Sequence, residues 1–223
     1  MNCVVTAGPT YEPLDAVRRL TNFSTGTLGS QLANFLAARG HQVTLLLGEV
    51  ATFTGEQRAQ QILRFTTTED LAQKIAALAA TPPGAIFHTA AVSDFRVTKL
   101  FRRTPGGLQV PIERGKIPSR LGALVAELAP TPKIISRLRL LFPEALLVGW
   151  KYEVDGRRAS VLRLARNQMQ RCQTDACVTN GRAYGHGYGL VIREQKPQHC
   201  ETAGPLFEAL AKLLEKAPLT SGR

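Results

Sequence analysis

Aromatic side chains are scarce in this sequence: they make up 6% of 223 residues, and no ladder of aromatics interleaved with basic residues occurs. A surface that stacks single-stranded nucleic acid needs such a ladder. Cysteine is sparse as well. Cys3, Cys172, Cys177 and Cys200 are scattered with no C-x-x-C spacing, so they read as reduced thiols rather than as a metal or redox site. No apolar run approaches the length of a membrane helix, and residues 1–5 do not read as a signal peptide. A cytoplasmic chain with no membrane partner is expected. No repeat, linker or low-complexity tract divides it, so residues 1–223 are expected to form a single domain.

What is present is a globular composition, 44% hydrophobic and 20% charged, in a chain long enough to bury an α/β core. The formal net charge of +11 bears on partners. Arginines gather at Arg102 and Arg103, at Arg137 and Arg139, and between residues 157 and 171. Phosphorylated small substrates suit this charge at least as well as DNA does, so charge alone decides nothing.

The chain is organised around its first thirty residues. Cys3, Val4 and Val5 read as a buried strand that Gly8 and Pro9 end with a turn, and apolar positions at Leu28, Leu32, Phe35 and Leu36 mark one helix face. Ser24, Thr25 and Gly26 stand at the helix start, where unpaired N–H groups and the helix dipole suit a phosphate. Glycines at 26 and 29 let an anion approach the backbone closely. The plainer possibility is a capped helix after a loop. Residues 10–24 show no regular pattern, however, and a long unstructured connection inside a compact domain is commonly functional or disordered.

Further strands are expected over residues 42–47, 62–65, 85–89, 146–150 and 176–179. Helices are expected over 69–80 (capped by Thr68), 131–141 (opened by Pro132), 157–171 and 206–214. The alternation implies a doubly wound, mostly parallel Rossmann-like α/β sheet. Ligands of such sheets lie beyond the carboxyl ends of the strands, so residues 8–10 and 90–94 should line one cleft. Residues 99–122, punctuated by glycine and proline, read as a hairpin-like excursion followed by a mobile basic loop from Arg114 to Arg120. Residues 123–128 are expected to return as a strand of the main sheet, and 190–192 to form an edge hairpin strand.

The run from Thr6 to Gly29, TAGPTYEPLDAVRRLTNFSTGTLG, resembles the opening of the phosphopantothenoylcysteine synthetase (phosphopantothenate–cysteine ligase) family. Four later segments resemble that family in the same order: Ala90-Ala91-Val92-Ser93-Asp94-Phe95, Gly115-Lys116-Ile117, Pro132-Lys133-Ile134-Ile135, and the strand ending at Asn180. Trp150-Lys151-Tyr152-Glu153-Val154-Asp155 is similar to the eukaryotic form of the pattern. Gln168 and Cys172 stand where the bacterial CTP enzymes carry lysines. The resemblance implies a ligase that joins 4′-phosphopantothenate to cysteine through an acyl-nucleotide intermediate. CTP or ATP would be the nucleotide, with Mg²⁺ on it, in a homodimer lacking the flavin decarboxylase domain and FMN.

By the same resemblance Asn22 holds the acyl-nucleotide and Lys116 reaches the α-phosphate. Gly8, Ser24, Thr25, Gly26, His88, Thr89, Ala90, Asp94, Pro132, Lys133, Ile134, Ile135 and Trp150 take the nucleotide. Arg18, Asn22, Ala90, Ala91 and Asp94 take phosphopantothenate, Arg18 from a neighbouring subunit. No metal ligand among the side chains is implied. Each residue has a plainer reading. Lys116 and Arg18 read as solvated charges, Asn22 as a loop tie, Asp94 as a turn cap, Trp150 as core and His88 as a structural histidine. An NAD(P)-dependent oxidoreductase remains a rival, with Gly8, Gly26 and Gly29 as a split dinucleotide turn and Glu49 on the ribose, although the compact G-x-G-x-x-G is missing. A nucleotide-binding paralogue without activity and a DNA-binding module stand as two more rivals, although nucleic acid is not the expected partner.

Overall fold

The structure, a computed structural model, describes residues 1–112 and 115–216. In chain order it contains β1 (Asn2–Ala7), β2 (Tyr11–Pro13), β3 (Arg19–Thr21), α1 (Thr27–Ala38), β4 (Gln42–Gly48), β5 (Gln61–Phe65) and α2 (Thr68–Ala77). Then follow β6 (Ala85–His88), β7 (Phe95–Arg103), β8 (Gln109–Ile112), β9 (Leu124–Pro130) and α3 (Leu138–Leu141). The last third holds β10 (Leu146–Tyr152), α4 (Arg158–Cys172), β11 (Ala176–Asn180), β12 (Tyr188–Ile192), β13 (Gln198–Cys200) and α5 (Ala203–Lys216).

The main sheet has eight strands in the order β13-β12-β11-β10-β6-β1-β4-β5. The six strands from β11 to β5 run parallel, and β12 and β13 add antiparallel pairings at one side. Interior parallel strands are covered on both faces, which explains runs such as Val4-Val5 and Leu45-Leu46-Leu47. On one face Val5, Phe87, Val148 and Val178 pack under α1 and α5, through Leu32, Leu36, Leu206 and Leu210. On the other, Val4, Leu46, Ile86 and Leu147 pack under α2 and α3, through Leu71, Ile75, Leu138 and Phe142. Ala165 and Met169 of α4 cover Cys177 on this second face. Burying one such leucine is worth about 1.5–3 kcal/mol, so the alternation of side chains along β1 and β6 dictates the layering.

The strand order reverses between β1 and β6, since β4 and β5 lie on one side of β1 while β6 and β10 lie on the other. That reversal opens a crevice at the carboxyl ends of the strands.

Several expectations are corrected. Residues 10–24 are not featureless: β2 and β3 form a short antiparallel hairpin there. Residues 123–128 do not return to the main sheet. Residues 124–128 lie in β9, which pairs antiparallel with β7 from Phe95↔Pro130 to Arg102↔Leu124, in a separate sheet of order β8-β7-β9. Most of β9 is exposed, so it lacks the two covered faces an interior parallel strand requires. The helix expected over 131–141 is cut down to a 3₁₀ turn (Ile134–Arg137) and the short α3. Its intended first turn is drawn out instead, because Thr131 N–H donates to the Asp94 carbonyl (2.9 Å) and the Thr131 hydroxyl donates to the Ser93 carbonyl. Thr67, not Thr68, caps α2, accepting the Asp70 N–H at 3.1 Å. The strand holding residues 190–192 is flanked by β13 and is not an edge.

The hairpin of the excursion is present as β7–β8. Of the expected basic loop, Arg114 lies outside the described residues, and Ile117 is buried against Val97, Leu100 and Leu14.

Candidate functional site at the sheet switch point

β1 is followed by Gly8, whose φ of +80° is open to glycine. Gly26 precedes α1 with φ +77° and offers no side-chain cap. A Cβ on Gly26 would stand 3.3 Å from Gly8 Cα, so the two backbones face each other directly. Gly29 serves packing instead, because a Cβ there would lie 2.6 Å from Ala7 Cβ and 2.3 Å from Thr89 Oγ1. The Thr25 hydroxyl is shared with Thr27, at 2.8 Å to its Oγ1, and accepts the Thr27 N–H at 3.3 Å. The Thr25 carbonyl accepts the N–H groups of Thr52 and Phe53. The start of α1 thus presents backbone donors beside a bare glycine surface, an arrangement suited to an anion.

The end of β6 is stitched to β1. Ala91 N–H donates to Gly8 O (3.0 Å) and Thr10 N–H to Ala91 O (3.2 Å). Asn22, carried over from the far side of the hairpin, donates its amide to the carbonyls of Ala91 (3.2 Å) and Val92 (3.1 Å). The sequence-predicted residues Gly8, Asn22, Gly26, Ala90 and Ala91 therefore meet at one place, with residues 8–10 and 90–92 in direct contact. The Asn22 geometry is also that of a loop tie.

His88 is buried, with Nδ1 3.0 Å from Thr6 Oγ1, and that oxygen accepts the Ala90 N–H at 3.1 Å. The Thr6 proton can then serve Nδ1, the tautomer carrying hydrogen on Nε2. Burial pushes the His88 pKa down to about 4, so the ring is neutral and structural. Thr89 donates its hydroxyl to Thr6 O at 2.5 Å.

Asp94 and Lys133 form an ion pair with both side chains exposed. Pro132 lies beside Lys133 in the extended segment, and Ile134 is buried in the core below. Ile135 lines Gly149, where a Cβ would sit 2.7 Å from both Ile135 Cδ1 and Gln168 Nε2. Gln168 donates to Trp150 O at 3.3 Å. Trp150 packs on the α1 and α5 face of the core. Its indole N–H is buried without a partner among the described residues, as is Asn180 Oδ1 on the neighbouring strand. An orphaned donor and an orphaned acceptor on adjacent strands are what a polar ligand can satisfy. Asn180 closes a matched motif, yet the motif alone gives it no role. A cavity of about 540 Å³, lined by Asn180, Tyr152, Arg182, His186, Tyr188 and Glu201, opens beside it.

Arg18 makes its polar contacts with Asp15 and Ile117 rather than with this cluster. Lys116 is exposed and forms no ion pair among the described residues. Arg18 pairs with Asp15 and donates to Ile117 O at 3.2 Å. Asp15, absent from the sequence-predicted set, is buried. Its burial would raise its pKa, but the N–H groups of Val17, Ile117 and Arg18 and the Arg18 guanidinium outweigh that and hold the carboxyl below its ordinary value.

Fold and cleft together define a doubly wound α/β protein with a candidate site where its strand order reverses. Its sequence is 34% identical over 193 residues to the coenzyme A biosynthesis bifunctional protein CoaBC of Thermococcus kodakarensis, covering 85% of this chain and 43% of that protein. The chain belongs to the DNA/pantothenate metabolism flavoprotein C-terminal domain family, whose model matches residues 1–196. A DNA/pantothenate metabolism flavoprotein from Streptococcus pneumoniae superposes with a TM-score of 0.85 at 26% identity, covering 97% of this chain and 99% of that one. Cab2 mutant H337A in complex with phosphopantothenate-cysteine superposes at 0.73 with 19% identity, covering 96% and 86%, which is a likeness of fold.

Proposed function

We propose that this chain is a phosphopantothenate–cysteine ligase of coenzyme A biosynthesis. The carrying observation is the convergence of Asn22 with the Gly8–Gly26 backbone contact and the β6 end at the switch point. In this reading the α1 amides and the bare glycines take the triphosphate of CTP or ATP. Asp94, Lys133, Ile135, Trp150 and Asn180 enclose the rest of the nucleotide. The 4′-phosphopantothenate carboxylate attacks the α-phosphorus and expels pyrophosphate. Lys116 steadies the charge that develops on the phosphoryl oxygens. The Asn22 amide, uncharged beside an anionic mixed anhydride, holds the acyl-nucleotide while the cysteine amine attacks its acyl carbon and releases the nucleoside monophosphate.

Among the described residues no three His, Cys, Asp or Glu side chains gather as metal ligands. In this reading Mg²⁺ arrives on the triphosphate, whose charge it partly neutralises. Among the described residues no helix is long and apolar enough to cross a membrane. A homodimer is part of the proposal, supported by exposed apolar side chains on the β2–β3 hairpin and the small sheet: Val17, Leu20, Phe23, Phe95, Leu124 and Leu128. Reading residues 1–223 as one domain is likewise proposed.

Pyrophosphate release tests the proposal. Purified protein with Mg²⁺, phosphopantothenate and cysteine should release it with CTP or ATP, only when all substrates are present. Asn22→Ala and Lys116→Gln should each lower turnover by about 10²–10³. Absence of release with both nucleotides would overturn the ligase reading and leave the fold untouched.

A further inference from the structure

Lys116 sits on a segment that the structure fastens at both neighbours. Ala16 N–H donates to Gly115 O at 3.4 Å, and Ile117 N–H donates to Asp15 Oδ2 at 3.3 Å. Arg18 bridges the two partners, its guanidinium meeting Asp15 Oδ2 and donating to Ile117 O at 3.2 Å. The other carboxylate oxygen, Oδ1, accepts the N–H groups of Val17 (2.9 Å) and Arg18 (2.7 Å). The Ile117 side chain is 3% exposed and packs against Val97, Leu100, Leu14 and Leu121. A surface lysine loses rotamer entropy when it is ordered, and a mobile backbone would add to what must be ordered at a phosphate. Here the backbone is held and only the side chain is left to move.

We propose that Asp15 is the positioning residue for Lys116: its buried carboxylate, with Arg18, anchors residues 115–117 to the turn before β3 so that the lysine is presented to substrate from a fixed backbone. This rests on the role given to Lys116 above. Both Asp15 oxygens accept from N–H donors, so an asparagine in either orientation would set an NH₂ against one of them. Asp15→Asn should therefore release the segment with little change in volume.

Two readouts test this in the whole chain. Trypsin cleaves after Lys116 when the Lys116–Ile117 bond is free, and Asp15→Asn should speed that cut at least tenfold while cuts elsewhere and the melting temperature change little. In the pyrophosphate assay the same variant should lose at least tenfold in kcat, with KM for nucleotide altered less than threefold, since Lys116 acts in the transition state. A folded Asp15→Asn protein cut at the wild-type rate, or turning over at the wild-type kcat, would overturn the proposal. If the variant does not fold, hydrogen exchange on the wild-type protein decides. The Ile117 amide should be protected at least a hundredfold over its unfolded rate, and an unprotected amide would overturn the anchor. Failure of the ligase reading shows separately, as a wild-type protein that releases no pyrophosphate while trypsin and exchange still report the tether.

Discussion

Gly8 and Gly26 stand backbone to backbone, and each holds a positive φ that an alanine would adopt only under strain. Left-handed strain in a single non-glycine residue costs about 1–2 kcal/mol. Gly40 provides the control, with φ +81° and nothing within 4 Å of where a Cβ would lie. Gly40→Ala should show strain alone. Gly26→Ala adds a methyl 3.1 Å from Ala51 Cβ and against Gly8, so it should destabilise more and weaken CTP or ATP binding at least tenfold. Calorimetric titration of both variants checks this, and equal nucleotide affinities would remove the glycine contact from the site.

Asn22 is exposed, so its two hydrogen bonds to Ala91 and Val92 contribute little to global stability. Asn22→Ala should shift unfolding by no more than about 0.5 kcal/mol. Losing a donor that acts at the reacting centre lowers turnover by about 10²–10³. Chemical denaturation beside steady-state pyrophosphate release separates the two. A large stability loss with turnover intact would make Asn22 the loop tie that its geometry also permits.

His88 predicts a pH dependence of stability. Its folded-state pKa lies near 4 against an ordinary 6.5, so between those values the unfolded chain binds the proton and the folded chain does not. Its contribution is undiminished above pH 6.5 and is lost as pH falls toward 4, by roughly 3 kcal/mol in all. His88→Gln should be less stable at pH 7, where the ring packs beside Thr6, and should close that gap by pH 4.5. Urea melts of both proteins across this window measure it, and parallel curves would show that the ring is not held neutral.

The Asp94–Lys133 pair is solvent-exposed, and such pairs contribute about 0–1 kcal/mol to folding. Asp94→Asn and Lys133→Met, alone and together, should leave the melting temperature within a few degrees while each weakens nucleotide binding at least fivefold. A double-mutant cycle on binding should show coupling. Additive losses would place the two groups on separate parts of the ligand.

The central strands are legible because Val4-Val5, Leu45-Leu46-Leu47 and Ile86-Phe87 are unbroken apolar runs, and only a strand covered on both faces needs one. β9 misleads because Leu124, Val125 and Leu128 imitate such a run although the segment is largely open to solvent. The shortened helix after Thr131 escapes a local reading, since Pro132 suits a first helical turn and the distant Asp94 and Ser93 carbonyls draw the chain out. At the site, Gly8, Gly26 and Asn22 carry their signal in a contiguous motif. Asp15 does not: an acid three residues before an arginine reads as a surface pair, and its decisive partner, the Ile117 amide, is 102 positions away.

The small sheet leaves and rejoins the main body at one point, where Thr131 N–H meets Asp94 O at 2.9 Å and Phe95 pairs with Pro130. Its two stems are thus adjacent, and its strands are hydrogen-bonded to one another rather than to the main sheet. Beyond those stems it is tied to the β2–β3 turn, through Ala16 N–H to Gly115 O and Ile117 N–H to Asp15 Oδ2. A tight turn joining residues 94 and 131 would leave every ladder of the main sheet intact while removing the segment that bears Lys116. The proposed phosphate-facing lysine and the ladders of the main sheet thus belong to separate stretches of chain.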